Sequence, residues 1–412
     1  MSKIFLCVSA SLRLNSVVLE IPKTMRAVVY RGVNDLCLET VPVPRLGPGE
    51  LLVQVAVCGV CPTDIKKIRH GTVPPPRIFG HETAGTIVKI GGTSGSKTQN
   101  SKLKIQNFQI GDRVALHHHV PCLDCHFCRH RAFAQCATYK RTGITAGFEP
   151  AGGGYAEYVR VMPFVLPGVV KIPPKNSFAE GAMLEPVNTV LKAVRRLNLL
   201  RGDTVLVAGQ GPIGLMFTRL LQLAGARVLA TDLLESRLKL ARKFGAKWTQ
   251  LVGTARRAVR ARVERAQYLS QRAPLRRWTR RSDIPAGCPY PPSPLDAAVI
   301  AVPSDAAVHQ ALQLVRGGGQ VLLFAHTKRD SNLQPSTFNL QLSTICLDEK
   351  DLIGSYSSDF TLQAEVARLV FSRRLDVRQL ITHRFPLEQT AAAVALASKP
   401  ASDSLKILVA VG

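Results

Sequence analysis

The sequence predicts an α/β protein of two domains, a mostly β half followed by a doubly wound parallel sheet. Three observations carry this. A chain of 412 residues exceeds one compact domain and suits two. Hydrophobic residues at 46% and charged residues at 20% are globular values that exclude a largely disordered chain. Short alternating apolar runs fill the stretch from Met25 onward, whereas apolar runs and helical spacing alternate after Glu185-Pro186, the pattern of βαβ units.

In order along the chain, Arg26 to Tyr30 is a short strand and Leu51 to Val57 alternates as a second. Pro42, Pro44, Gly47, Pro48 and Gly49 form the turns between them. Thr83 to Ile90 and Arg113 to Leu116 continue the strand pattern. Between them Gly91 to Lys104 is polar and without periodicity, which predicts a mobile surface insertion. Beyond Pro186 the elements are a helix from Asn188 to Leu200, a strand Thr204 to Ala208, a helix Ile213 to Leu223, a strand Arg227 to Thr231 and a helix Glu235 to Phe244. Asp296 to Ala301, a helix Ala306 to Leu314 and Gln320 to Ala325 resume the alternation. A helix Leu362 to Phe371 and a strand Leu405 to Val409 close the chain and are placed back on the first domain. The expected divisions are an extension over 1–24, a mostly β domain over 25–187, a parallel-sheet domain over 188–354 and a return segment over 355–412.

The formal net charge of +26 points toward nucleic acid or an anionic membrane, but its distribution argues otherwise. Half of the excess lies in three stretches: residues 253–294 with ten arginines against Glu264 and Asp283, residues 93–107 with Lys97, Lys102 and Lys104, and residues 1–24. No run reaches the roughly 18 apolar residues of a membrane span, so a soluble chain with no membrane partner is expected. The apolar stretch after Lys3 meets Arg13 and Asn15 without a clean cleavage site, so no secretory signal is expected. Four of the ten cysteines fall within fifteen positions, which reads as metal binding in a reducing, cytoplasmic compartment.

Gly209-Gln210-Gly211-Pro212-Ile213-Gly214 follows a strand directly and opens a helix, with Asp232 ending the next strand eighteen residues after Gly214. The glycines permit a tight turn, close approach of backbone to a pyrophosphate, and close helix–strand packing; the helix N-terminus offers N–H groups to the phosphates. A carboxylate at Asp232 accepts from ribose hydroxyls and repels a 2′-phosphate, which predicts NAD over NADP, with Arg237 near enough to reach the adenine side. Gly152 to Gly154 and Gly317 to Gly319 lack a following helix and read as turns.

Cys122, Cys125, Cys128 and Cys136, spaced x2, x2 and x7, form a closed four-thiolate set, which predicts a structural zinc; an iron–sulfur cluster takes the same donors. A second metal set is scattered: Cys61, the pair His81-Glu82 after Gly80, and Glu185. Three ligands of mixed sulfur, nitrogen and oxygen type with a fourth position open suit a catalytic zinc, although each piece alone also suits a buried cysteine or a turn.

From Met25 on, the chain resembles the zinc-containing medium-chain dehydrogenases, in particular their polyol (sorbitol-like) and threonine dehydrogenase branch. Cys61-Pro62-Thr63-Asp64, Gly80-His81-Glu82, Gly111 to Val114, the cysteine lobe, Gly154 to Tyr158, Leu184-Glu185-Pro186 and the Gly209 fingerprint carry the resemblance in order and separation. It implies a GroES-like catalytic domain beside a Rossmann domain, two zinc ions per chain, NAD, and a homodimer or homotetramer acting on a small-molecule alcohol. It further implies that Cys61 and His81 ligate the catalytic zinc with Glu82 or Glu185 completing the set, that Thr63 passes the alcohol proton outward, and that Asp64 orients His81. The reaction implied is oxidation of a secondary alcohol, polyol or hydroxy amino acid with hydride transfer to NAD. Cys58 is then a packing residue.

Three features depart from the family pattern. Pro62 replaces a common glycine, Lys66 and Lys67 stand where a relay histidine is frequent, and His117-His118-His119 precedes the lobe. On a strand only His117 and His119 can share one face, and a solvated strand end is the expected reading. The competing readings are a basic zinc-knuckle protein that binds nucleic acid, which explains the charge but not Gly209 to Asp232, and a family member without activity. Residues 253–294 have the length of a helical crossover, but Val259 and Val263 lack an apolar face around them and five prolines follow; two compensating frame changes in the coding sequence would produce such text.

Overall fold

The computed structural model describes residues 20–92, 107–117, 119–141, 153–252, 294–325 and 342–412. Most of the polar stretch after Gly92, the arginine-rich stretch and His118 lie outside these residues, and the expectations attached to them lie there too.

The first half contains β1 (Thr24–Gly32), β2 (Asp35–Pro42), β3 (Leu51–Gly59), β4 (Arg77–Ile78), β5 (Glu82–Ile90), β6 (Arg113–Leu116), β7 (Tyr158–Val161) and β8 (Val170–Lys171). Then come β9 (Thr204–Ala208), β10 (Arg227–Asp232), β11 (Trp248–Leu251), β12 (Leu295–Ile300), β13 (Val315–Leu323) and β14 (Asp351–Gly354), and finally β15 (Ile381–Pro386) and β16 (Lys406–Ala410). β1 pairs antiparallel with β2 and β4 in a three-stranded sheet. A seven-stranded sheet runs β15-β16-β3-β5-β6-β8, with β7 also on β3. β3 is buried along most of its length because Leu51, Val53 and Val55 face one core, while Val57, beyond a register shift, packs into the other.

The second half is a six-stranded parallel sheet of order β11-β10-β9-β12-β13-β14. Counted from β9, that is third, second, first, fourth, fifth, sixth, the Rossmann order, with the switch point between β9 and β12. All five residues of β9 are buried, as a central parallel strand covered on both faces requires. Phe217 on the helix Pro212–Leu223 has no exposure, and burying one such ring contributes about 1.5–3 kcal/mol.

One glycine expectation changes. Gly317 to Gly319 lie inside β13 and not in a turn: Val315 and Gln320 both pair with β12 across a register shift. A Cβ on Gly319 would lie 2.4 Å from Val315 Cγ1, so the bulge needs the glycine.

The helix expected from Asn188 begins earlier, at Leu184, and runs to Val194, so Glu185 and Pro186 occupy its first turn. β16 pairs antiparallel with β3, which returns the end of the chain to the first sheet. Val366 and Val370 on the helix Gln363–Phe371 share a core with Val187, Val190 and Leu191. Among the described residues no helix is long and apolar enough to cross a membrane.

Candidate active site

Cys61 follows the end of β3 and caps the helix Pro62–His70, its sulfur accepting from Thr63 N at 3.4 Å. The sequence reading missed this helix, although Pro62 at its first position, Asp64 in its first turn, three basic residues in its last turn and Gly71 at φ 60° past its end are all boundary signals. The helix turns Asp64 inward, where it is fully buried. Its carboxylate oxygens lie 3.0 Å and 3.1 Å from His81 Nδ1 and accept from Gly80 N at 3.3 Å. Burial works against charge on both partners, but their mutual attraction outweighs it: Asp64 stays below the usual carboxylate range and His81 well above its ordinary value.

Gly80 lets His81 approach, because at φ 98° a Cβ there would lie 2.7 Å from Cys58 Sγ. Cys58 itself is buried, which pushes its thiol up to about 12. Ligand atoms of Cys61, His81 and Glu82 all lie within 4.8 Å of one another. Neighbouring ligand atoms around one tetrahedral zinc sit about 3.3–3.8 Å apart, so a slight contraction of this sulfur, nitrogen and oxygen set accommodates the ion. Glu185 is outside that set; burial, followed by the Glu82 charge, raises its carboxyl to about 7 against the opposing pull of His81. Glu82 is held by Lys406, whose Nζ donates to Glu82 Oε1 at 2.5 Å and to Val60 O at 3.0 Å. Lys406 was not anticipated. Its one signal is a lysine among apolar strand residues at the chain's end.

The four lobe thiols converge. Sγ separations are 3.5 Å for Cys125–Cys128, 3.7 Å for Cys122–Cys136 and 3.8 Å for Cys122–Cys128, close to the edge of a tetrahedron with zinc–sulfur bonds of about 2.3 Å. Backbone N–H groups of Cys122 and Cys125 point at sulfurs of the set. Burial opposes the Cys136 thiolate, but N–H donation to its sulfur outweighs it and brings the group down to about 6. The donor set thus fits a divalent ion with no place left for substrate.

Gly209 takes φ 90° and donates to Thr231 O at 2.8 Å; Gly211 caps the helix that begins at Pro212 and Ile213. A Cβ on Gly214 would lie 1.8 Å from Gly209 O, whereas one on Gly211 would meet nothing within 4 Å. Tight packing below and open space above the turn fit a pyrophosphate at this helix N-terminus. Asp232 Oδ2 accepts from Gln210 N at 2.6 Å and Oδ1 from Leu234 N at 2.9 Å, so the acid also fastens two loops. Arg237 Nη1 is 3.9 Å from Asp232. Gln210, a second residue missed, is fully buried and bonds Val207 O and Thr218 Oγ1.

The histidine run needs correction, because its described members do not form a solvated strand end. His117 has no exposure, lies 3.4 Å from Ser358 Oγ through Nε2, and is brought down to about 4 by burial. His119 stacks on Tyr139 at 4.5 Å between ring centroids and stands 6.1 Å from His81. The return segment covers this strand end, and nothing local in the sequence announces that cover.

Residues 47–174 match the alcohol dehydrogenase GroES-like domain family and residues 212–372 the zinc-binding dehydrogenase family. The sorbitol dehydrogenase of Bombyx mori is 28% identical over 389 residues, covering 93% of this chain and 97% of its own. That of Gallus gallus is 28% identical over 370 residues, covering 88% and 90%. Among solved structures, alcohol dehydrogenase TADH from Thermus sp. ATN1 superposes with a TM-score of 0.70 at 25% identity, covering 94% of this chain and all of its own. Two matched domains, a Rossmann order and both cysteine-bearing donor sets converge on one conclusion: the chain belongs to the zinc-dependent medium-chain dehydrogenases.

Proposed function

We propose that the protein oxidises a secondary alcohol or polyol to its carbonyl with hydride transfer to NAD, and that Cys61, His81 and Glu82 hold the catalytic zinc. The observation that carries this is the convergence of those three ligand groups within 4.8 Å, with Asp64 fastened to the far nitrogen of His81. When bound there, zinc supplies the Lewis acidity that makes an alcohol hydroxyl acidic near neutral pH. The remaining work falls to the chain. Asp64 fixes the His81 tautomer by accepting from Nδ1 and so turns Nε2 to the metal. Glu82 supports the set better than Glu185 because it lies within ligand distance, while Lys406 balances its charge. Thr63, beside Cys61 at the helix start, takes the alcohol proton and passes it outward. Gly209 to Gly214 receive the pyrophosphate. Asp232 with Arg237 receives the adenosine ribose, which favours NAD over NADP.

The same reading assigns the second zinc to Cys122, Cys125, Cys128 and Cys136, the catalytic domain to 25–187, the dinucleotide domain to 188–354 and the return to 355–412. A cytoplasmic homodimer or homotetramer is part of it. The test is NAD reduction with a panel of polyols, hydroxy amino acids and secondary alcohols. Turnover that disappears in His81→Ala supports the reading, and wild-type protein inert toward the whole panel, with zinc and NAD both bound, refutes it.

A further inference from the structure

The return segment is pinned against the site at four successive residues. Ser357 Oγ is hydrogen-bonded to the Tyr139 hydroxyl, Ser358 Oγ faces His117 Nε2 at 3.4 Å, Asp359 N donates to Asn188 Oδ1 at 2.8 Å, and Phe360 meets Phe133 edge-on at 5.6 Å. Ser357 does this at φ 63°, a left-handed conformation that a serine keeps only when its surroundings hold it. Tyr139 lies three residues beyond Cys136 and is buried in the same cluster as Cys128 and Cys136. Its ring stacks on His119, which faces His81. Tyr356, the residue before Ser357, is 44% exposed and within electrostatic reach of Cys61, His81 and Glu185. One side chain, rooted in the cysteine lobe, therefore touches both His119, which faces the ligand His81, and Ser357, which follows Tyr356 in the chain.

We propose that Tyr139 is a positioning residue for alcohol selectivity: its ring fixes His119 and its hydroxyl fixes the 356–358 segment, so that the lobe shapes the wall against which the substrate's far end lies. This rests on the proposed alcohol oxidation. Tyr139 has its hydroxyl engaged and its ring covered, so it acts through its neighbours and does not touch substrate.

The test compares Tyr139→Phe, Ser357→Ala and the double variant with wild type, using sorbitol and 2-propanol as probes and metal analysis as the control for an intact lobe. Tyr139→Phe keeps the stacked ring and removes only the hydroxyl. Its KM for sorbitol is expected to rise about fivefold, the worth of one neutral hydrogen bond, with kcat and the 2-propanol constants changed by less than about twofold. Ser357→Ala is expected to reproduce the shift, and the double variant to add nothing, because both act through one bond. An unchanged ratio of sorbitol to 2-propanol kcat/KM in both single variants, or an equal loss on both alcohols, overturns the proposal. Wild-type protein active on other alcohols of the panel but with neither probe overturns this proposal alone, whereas inertness toward the whole panel with zinc and NAD bound overturns the underlying reading and this proposal with it. Wild-type activity with an unchanged ratio in the variants overturns this proposal alone.

Discussion

Replacing Asp64 by Asn probes how the catalytic metal set is held. The wild-type carboxylate has no exposure and contacts His81 Nδ1 through both oxygens, at 3.0 Å and 3.1 Å, and Gly80 N at 3.3 Å. Asn keeps the shape and one acceptor oxygen but places an NH2 where an acceptor is needed, and the attraction that keeps the imidazole basic is gone. Loss of such a partner behind a ligating histidine typically weakens metal affinity by about 10–100-fold, or about 1.4–2.7 kcal/mol. Competition with a chelator, followed by metal analysis, measures this directly. The four-cysteine lobe is the internal control, since Asp64 is not among its donors. The expected result is easier loss of one zinc per chain and unchanged retention of the other. A competition curve that overlies wild type for both ions would refute the role assigned to Asp64.

Cys61→Ala and His81→Ala are each expected to abolish turnover while leaving one zinc bound, as activity and metal analysis on the same preparation would show. Asp232→Ala should lower the ratio of NAD to NADP kcat/KM by about tenfold. It should also lower the melting temperature, because the Gln210 and Leu234 N–H groups lose their acceptor. His117 is held at about 4 by burial, below its ordinary 6.5, so the unfolded chain binds the extra proton between those values. The stabilising contribution is complete above pH 6.5 and is lost as pH falls toward 4; about 2 kcal/mol of it is gone near pH 5. Urea unfolding at pH 7 and pH 5 should show that loss in wild type and less of it in His117→Asn.

The features that could be read from sequence are those whose physics is local. Gly209 to Asp232 lies in one βαβ unit, so the turn, helix start and acid are all visible within about two dozen residues. The lobe cysteines announce themselves by spacing. Cys61, His81 and Glu82 were identifiable as pieces because each sits at the end of a strand, but their convergence depends on β3 pairing with β5, where Gly59 lies opposite Glu82. Contacts of long separation left no such trace. Lys406 meets Glu82 across 324 positions, and Ser358 meets His117 across 241, so neither the ion pair nor the cover over the histidines is written in a neighbouring residue. The helix Pro62–His70 escaped because only Ile65, Ile68 and the polar Asp64 face inward, too short a stripe for a periodic signal. The basic composition suggested nucleic acid. The uneven distribution of the charge set that reading aside, and the family assignment with the converging donor sets shows an enzyme.

Isotope transfer measures the proposed hydride step most directly. Zinc-loaded protein is incubated with NAD and a secondary alcohol carrying deuterium on the carbinol carbon, and the recovered NADH is analysed by mass spectrometry and proton NMR. Hydride transfer at this site requires one deuterium per NADH at C4 of the nicotinamide, on one face only, and no labelled NADH from Cys61→Ala. NADH formed without deuterium, label divided between both faces, or labelled NADH from Cys61→Ala at the wild-type rate would contradict hydride transfer at this site.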